Sequence, residues 1–246
     1  VEAITGSWVS LTDPAVIEIM VDSGFDFLLL DGEHAPISED SLKMMLMAAR
    51  GSETALIYRV RENSEPLIKV ALDLGADGLF VPMVNSAEQA QQAIDATRYP
   101  PQGRRGIGPW RASNYYNSLA EYVAGAREQI TLFLQIEDRA ALPHLDDILS
   151  VDGFDAAYIG PADLTASHNL YPDRDHPEVL ASIDRIIAAC KRHQVPLGID
   201  ASGPEEITRL REAGLQIFTY GMDVSYLHDG VRATAQTVAK ALAAAR

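Results

Sequence analysis

At 246 residues the chain suits one large α/β domain with ample apolar material for a core. Its 20 Lys and Arg against 35 Asp and Glu give a net charge of −15, which argues against nucleic acid or an anionic membrane surface as a partner and points to a small-molecule ligand. A single cysteine, Cys190, excludes an internal disulfide and fits a reducing cytoplasm.

Strand-like and helix-like patterns alternate from end to end, as expected of βα units around a parallel sheet. The first predicted strand, Ile4 to Val9, carries Trp8 at its end, and a helix from Pro14 to Asp22 follows, capped by Thr12 or Asp13. The second, Phe25 to Leu30, is almost wholly apolar, like a strand buried on both faces, and runs into Asp31-Gly32-Glu33-His34-Ala35-Pro36. A helix from Glu39 to Arg50 leads to a strand from Ala55 to Tyr58 that ends in Arg59, and the helix beginning near Pro66 stops at Gly75. The fourth strand, Gly78 to Val81, precedes a helix from Ser86 to Thr97. The interval from Arg98 to Asn117 has no clear period, and a loop of that length is usually functional or mobile.

A helix near Leu119 to Glu128 leads to the fifth strand, Thr131 to Ile136, then to a helix from Arg139 to Leu149 and the sixth strand, Ala156 to Ile159. After a polar loop from His168 to His176 come a helix from Pro177 to His193, a strand from Pro196 to Ile199, a helix from Pro204 to Ala213, a strand from Gln216 to Tyr220 and a last helix from Val224 to Ala244. Eight strands with at least eight helices predict a single (β/α)8 TIM barrel over residues 1–246. A doubly wound open sheet is the alternative, but no glycine-rich fingerprint follows the first strand. No signal-peptide pattern is visible, a short stretch ahead of Val1 is expected to be missing, and no apolar run approaches bilayer-spanning length.

In such a barrel the chemistry sits at the carboxyl ends of the strands. Those ends collect Trp8, Asp31, Glu33, His34, Arg59, Gln135, Glu137 and Asp163. Glu137 and Asp163 leave neighbouring strands, so their charges repel unless one takes a proton or a hard divalent cation such as magnesium or manganese lies between them. Equally, Glu137 could cap a helix and Asp163 could be an ordinary turn residue. Asp31 and His34, three apart in a turn, could form an acid-paired histidine, or a cap beside a surface histidine. Arg59, at the tip of an apolar strand, can bind a carboxylate or a developing oxyanion, and Arg104, Arg105 and Arg111 are further candidate cations. The Gly160-Pro161-Ala162-Asp163 turn offers the amides of Ala162 and Asp163 but none from Pro161. The four lysines, Lys43, Lys69, Lys191 and Lys240, all fall in helix patterns, which argues against a Schiff-base mechanism. Cys190 reads as a buried small apolar residue in a helix.

The segments Leu30 to Pro36, Val81-Pro82-Met83-Val84, Arg98-Tyr99-Pro100-Pro101, Arg105-Gly106-Ile107-Gly108, Gln135-Ile136-Glu137 and Ile159 to Leu164 together resemble the HpcH/HpaI family of class II pyruvate aldolases over nearly the whole length. The resemblance implies a (β/α)8 barrel whose last helix is exchanged between subunits, with dimers assembling into a hexamer. It implies a divalent ion (magnesium, manganese or cobalt) on Glu137 and Asp163, chelated by pyruvate, with Gln135 beside it. Arg59 would stabilise the enolate oxygen. The turn at Gly160, Pro161, Ala162 and Asp163 would bind substrate, with the Ala162 and Asp163 amides on its carboxylate. Asp31 with His34 would move protons through water, Trp8 would line the aldehyde pocket, and Asp73 matches a position that reaches toward a neighbouring subunit's site. The implied reaction is reversible cleavage of a 4-hydroxy-2-oxo acid to pyruvate, or a close 2-oxo acid, and an aldehyde. Oxaloacetate decarboxylation through the same enolate is the implied side activity. The loop from Gly108 to Tyr116 departs toward the macrophomate synthase branch, which keeps a decarboxylase or synthase as the alternative, with a non-catalytic 2-oxo-acid-binding barrel behind it.

Overall fold

In a computed structural model that describes residues 3–244, the apolar runs form eight parallel strands that close in sequence order, with the first strand pairing both the second and the eighth. They are β1 (Ile4–Val9), β2 (Phe27–Asp31), β3 (Ala55–Arg59), β4 (Gly78–Val81), β5 (Thr131–Ile136), β6 (Ala156–Ile159), β7 (Leu197–Asp200) and β8 (Ile217–Met222). Around them run α1 (Pro14–Val21), α2 (Glu39–Ala48), α3 (Glu65–Asp73), α4 (Ala87–Thr97), α5 (Leu119–Gln129), α6 (Leu145–Leu149), α7 (Pro161–Ser167), α8 (Pro177–His193), α9 (Pro204–Glu212) and α10 (Asp223–Ala244). The (β/α)8 barrel is therefore the architecture. None of the helices is long and apolar enough to cross a membrane among the described residues.

Several boundaries differ from the sequence expectation. The helix expected from Arg139 to Leu149 is a 3-10 segment over Arg139–His144 that passes into α6, because Pro143 inside it has no N–H to give to an α-helical bond. The turn after Gly160 is itself the helix α7, with Pro161 at its first position. Strands β2, β7 and β8 extend one or two residues further toward their carboxyl ends than their apolar runs do, which makes Asp31 and Asp200 strand residues.

Alternation along each strand sorts side chains into two layers. Trp8, Phe27, Leu29, Ile57, Phe80, Phe133, Tyr158 and Ile217 fill the barrel interior, while Leu28, Leu30, Leu79 and Ile159 face the helices. Phe80 and Phe133 stack at 4.4 Å, and Tyr158 meets Phe80 edge-on at 4.7 Å. The interior is thus a packed core beneath the site, and truncating one of these rings to alanine would cost about 3–5 kcal/mol.

At the amino end of the barrel a repeated Gly-x-Asp (Gly24 to Asp26, Gly75 to Asp77, Gly153 to Asp155) precedes β2, β4 and β6. Each aspartate donates its own N–H to a residue of the preceding strand and accepts that residue's N–H on its carboxylate. Asp26 holds Thr5 (2.9 and 2.7 Å), Asp77 holds Leu56 (3.0 and 2.8 Å) and Asp155 holds Leu132 (2.9 and 2.7 Å). The three glycines all lie at positive φ, where a Cβ is disfavoured. These clamps fix the relative height of adjacent strands, and so the height at which their carboxyl ends stop.

Candidate active site at the carboxyl ends of the strands

The ladder between β2 and β3 places Asp31 directly beside Arg59. Arg59 donates Nε and Nη2 to Asp31 Oδ1 (3.0 and 2.8 Å) and lies 3.2 Å from Glu33 through Nη1, with its guanidinium 4.4 Å from the centroid of the Trp8 ring. All three polar nitrogens of this buried cation are thus committed, and an aromatic face covers it. Burial raises the Glu33 carboxyl above its ordinary range, against the opposing pull of Arg59.

The expected ring contact between Asp31 and His34 is not formed. Asp31 Oδ1 instead accepts the backbone amides of Glu33 and His34, both at 3.1 Å. The reason is the tight Gly32 turn, where an added Cβ would meet the Tyr58 hydroxyl and the Arg59 carbonyl. His34 projects outward, largely exposed, with Nε2 3.9 Å from Glu33 Oε2.

On β5, Gln135 and the residue after the strand, Glu137, point to the same interior side. Glu137 is fully buried. It accepts the Met83 amide (2.9 Å) on Oε1 and the Gln135 side-chain amide (2.6 Å) on Oε2. Met83 lies at φ 56, an uncommon region for a non-glycine residue, and its N–H is the one directed at the carboxylate. Burial, with repulsion from Asp163 and Glu33 added, pushes the Glu137 carboxyl up to about 8. Gln135 Oε1 is buried without a hydrogen-bond partner among the described residues. Gly160 closes over this pair, and any side chain there would collide with Glu137 Oε2 and Gln135 Nε2. Asp163 follows in the first turn of α7, whose first intrahelical bond is Leu164 N–H to the Gly160 carbonyl at 3.0 Å, leaving the Ala162 and Asp163 amides ahead of it.

These residues border a cavity of about 620 Å³ at the carboxyl face, lined by Trp8, Asp31, His34, Arg59, Gln135 and the Gly160 to Asp163 segment, together with Tyr171, Asp200 and Tyr220. Glu137 lies just beneath it, in contact with Gly160. Nearly every expected site residue is brought together, and two groups are not. Asp73, the last residue of α3, pairs with fully buried Arg105 at 2.7 Å and does not line its own chain's cavity. Arg111 donates to the Leu74 and Leu46 carbonyls, and Arg104 lies 3.6 Å from Asp95, so of the arginines singled out only Arg59 faces the site. Cys190 is buried in α8 with its thiol pushed up to about 12 by burial, in keeping with an inert packing residue.

The sequence reading missed Asp200 and Thr219. Thr219 donates to Asp200 Oδ1 (2.8 Å) and shares a hydrogen bond of 2.5 Å with the Tyr158 hydroxyl, while Trp8 Nε1 reaches both Asp200 Oδ1 (2.9 Å) and Thr219 (3.0 Å). The signal was an acid at a strand end, as at Glu137, one residue past the apolar run of β7.

Chemically the site offers an all-oxygen donor set (Glu137, Asp163 and the orphaned Gln135 Oε1) beside a fixed cation. Such a set suits a hard divalent ion completed by substrate and water oxygens. No cluster of three or more His, Cys, Asp or Glu side chains able to hold a metal is found among the described residues, so the carboxylate pair and the carboxamide are what the chain itself would contribute.

The chain has clear relatives among known proteins. Residues 5–229 match the family model described as HpcH/HpaI aldolase/citrate lyase. The chain is 39% identical over 232 residues to 2-keto-3-deoxy-L-rhamnonate aldolase of Escherichia coli O9:H4, covering 94% of this chain and 86% of that one. It is 35% identical over 235 residues to 5-keto-4-deoxy-D-glucarate aldolase of Salmonella arizonae, covering 96% and 92%. The crystal structure of an HpcH/HpaI aldolase/citrate lyase family protein from Burkholderia cenocepacia superimposes with a TM-score of 0.90 at 32% identity, covering 96% of this chain and 95% of that one. The chain belongs to the HpcH/HpaI aldolase/citrate lyase family and, like its named aldolase relatives, is a lyase.

Proposed function

We propose that the chain catalyses reversible retro-aldol cleavage of a 4-hydroxy-2-oxo acid to pyruvate, or a close 2-oxo acid, and an aldehyde, at a site loaded with magnesium, manganese or cobalt. The observation that carries the reading is Glu137: a buried carboxylate beside Asp163, with the Gln135 carbonyl oxygen left without a partner. Two sugar-acid aldolases among the relatives support the reaction type. The ion would be held by Glu137 and Asp163, and when bound it supplies a positive charge that polarises the 2-oxo group.

The chain's own residues do the rest. The Gly160 to Asp163 segment, without a side chain at Gly160 or an N–H at Pro161, lets the substrate carboxylate approach the Ala162 and Asp163 amides. Removal of the proton from the 4-hydroxyl starts rupture of C3–C4, the aldehyde leaves, and negative charge collects on the C2 oxygen. Arg59 is preorganised for that charge: Asp31 and Glu33 hold its fork and Trp8 shields it, so no reorganisation is needed as charge develops. His34, on the cavity wall near Glu33, carries protons through water and returns one to C3 to give pyruvate. In this scheme Asp31 orients Arg59 and the turn, and Glu33 is the carboxylate that senses His34. Oxaloacetate decarboxylation would use the same charge stabilisation.

The working form is a homo-oligomer, a hexamer made of three dimers that exchange α10. The support is α10 itself, which carries exposed Leu227, Val231, Val238 and Leu242 along one side and touches the barrel mainly through β1 and β8. A cytoplasmic setting suits the unpaired Cys190.

The test is product analysis. A racemic 4-hydroxy-2-oxo acid incubated with the protein and a divalent ion should release pyruvate, read by a coupled dehydrogenase, together with an equal amount of trapped aldehyde. Pyruvate from oxaloacetate but no aldehyde from any hydroxy-oxo acid would replace the lyase with the decarboxylase reading.

A further inference from the structure

Beyond the pyruvate end, the cavity has a second wall whose chemistry the scheme above does not use. It is made by Asp200 at the end of β7, Ala201, Tyr220, Met222 and Ser225 from β8 and α10, and Tyr171 from the loop before α8. A substrate gripped at C1 and C2 near Glu137 and Arg59 must lay its remaining carbons across the open space, and this wall bounds that space beside the Gly160 segment, since Ile159 and Ile199 pair and put the ends of β6 and β7 next to each other.

Asp200 is held in place there. Its Oδ1 accepts Trp8 Nε1 at 2.9 Å and the Thr219 hydroxyl at 2.8 Å, and Thr219 is in turn bonded to Tyr158, whose ring is packed in the barrel core. Burial raises the Tyr158 phenol well above its usual range, so it stays protonated and donates to Thr219, which fixes the Thr219 proton on Asp200. The donor chain from Tyr158 through Thr219 therefore ends on one oxygen of Asp200. The other, Oδ2, has no hydrogen-bond partner among the described residues, while the residue lines the cavity. Arg174 passes close by, donating Nη2 to the Asp200 carbonyl at 2.7 Å, and is not among the residues that line the cavity. Among the described residues, Asp31, Asp163 and Asp200 are the acids of the cavity wall; Arg59, already paired with Asp31 and Glu33, is its permanent cation, and exposed His34 is the other basic group that lines it.

We propose that Asp200 is the residue that selects the aldehyde half of the substrate, accepting a hydrogen bond from a hydroxyl on the carbon next to the aldehyde and rejecting an aldehyde that ends in a carboxylate. The inference rests on the retro-aldol reading and deepens it: the substrate class becomes a 4-hydroxy-2-oxo acid with a neutral, hydroxylated tail rather than a diacid. A hydroxyl donating to an anchored carboxylate gains a charge-assisted bond with no side chain to reorder, whereas a terminal carboxylate would meet Asp200 without an available cation.

The experiment runs the reaction toward condensation, with the full-length protein, pyruvate and a saturating divalent ion. The acceptors are 2-hydroxypropanal, propanal, which lacks only the hydroxyl, and succinic semialdehyde, which carries a carboxylate. Wild type should prefer 2-hydroxypropanal over propanal by roughly ten- to hundredfold in kcat/KM and should use succinic semialdehyde least. Asp200→Ala should bring the first two acceptors within about threefold of each other, mainly by raising KM for the hydroxylated one. Asp200→Asn, which keeps the acceptor geometry toward Trp8 and Thr219, should retain part of the hydroxyl preference while improving the carboxylated acceptor. If all three acceptors fall in parallel in both variants, with the preference intact, Asp200 acts only by steadying Trp8 and the proposal is overturned. A wild type that prefers succinic semialdehyde overturns it as well, leaving the lyase reading standing. A wild type that condenses no aldehyde overturns both.

Discussion

Acidic residues stand at both ends of this barrel, and they do opposite work. At the amino end Asp26, Asp77 and Asp155 each close a two-bond clamp on one residue of the preceding strand, so their charge is consumed by backbone amides. At the carboxyl end Glu137 accepts two donors among the described residues while Asp163 and Glu33 repel it, and Asp200, a cavity-lining residue, has one oxygen with no hydrogen-bond partner among them. The arginines follow the same division. Arg59 is paired by Asp31 and Glu33 at the rim of a cavity, whereas Arg105 is paired by Asp73, enclosed between the Tyr99 and Tyr122 rings at 4.7 and 5.6 Å, and leaves Nε and Nη1 buried without partners. A buried Arg–Asp pair is thus not in itself a signature of a site. What separates the two is whether the pair borders space that a ligand can enter.

Variants at the two ends should therefore separate activity from stability. The largest loss of activity is expected from Arg59→Lys, which keeps the charge but not the fork that Asp31 and Glu33 hold; kcat should fall by about 10²–10³-fold with the melting temperature little changed. A small loss of rate there would remove Arg59 from the charge-stabilising role. Asp73→Ala should do the reverse. Leaving Arg105 buried and unpaired costs about 3 kcal/mol, a drop in melting temperature of roughly 6–12 °C, while turnover per folded molecule stays within about twofold. A collapse of turnover without loss of stability would instead place Asp73 in a neighbouring subunit's site.

The pH dependence of the metal-free protein gives a finer test of the carboxyl end. The Glu137 carboxyl has an ordinary value of 4.5 and is pushed up to about 8 by burial in the folded state. Between those values the folded state holds a proton that the unfolded state has released, so stability falls as pH rises from about 4.5 through about 8. Thermal melts in chelator should show that decline in wild type, and Glu137→Gln should flatten it. A wild-type melting temperature that rises over the same interval would mean that Glu137 is already ionised and stabilised. The smallest effect belongs to the clamps: Asp155→Ala should cost about 1 kcal/mol by denaturant unfolding, with kcat unchanged.

Much of this division was legible in the sequence because an apolar run that stops at a charge marks a strand end, and Arg59, Gln135, Glu137 and Asp163 all converge as that rule requires. The rule failed where the strand outlasts its apolar run. By hydrophobicity β7 stops at Ile199, yet the ladder continues to Asp200 because Thr219 of β8 lies opposite it. Spacing along the chain misled at Asp31, since His34 is three residues away but Arg59, across the sheet, has the better geometry and takes the carboxylate. The long loop from Arg98 to Asn117 drew attention through its arginines and aromatics. Arg105 and Arg111 turned out to fasten it to α3 and to the end of α2, contacts set by tertiary packing that no local pattern records.

If Glu137 and Asp163 hold a divalent ion, as proposed, lyase activity depends on it. The most direct test follows pyruvate release from a racemic 4-hydroxy-2-oxo acid, first in chelator and then over rising Mn2+, with free Mn2+ read by electron paramagnetic resonance in the same samples. No turnover is expected in chelator, with turnover rising in step with bound Mn2+ in wild type and both lost in Glu137→Gln and Asp163→Asn. Full turnover in chelator, or undiminished Mn2+ binding by either variant, would contradict that proposal.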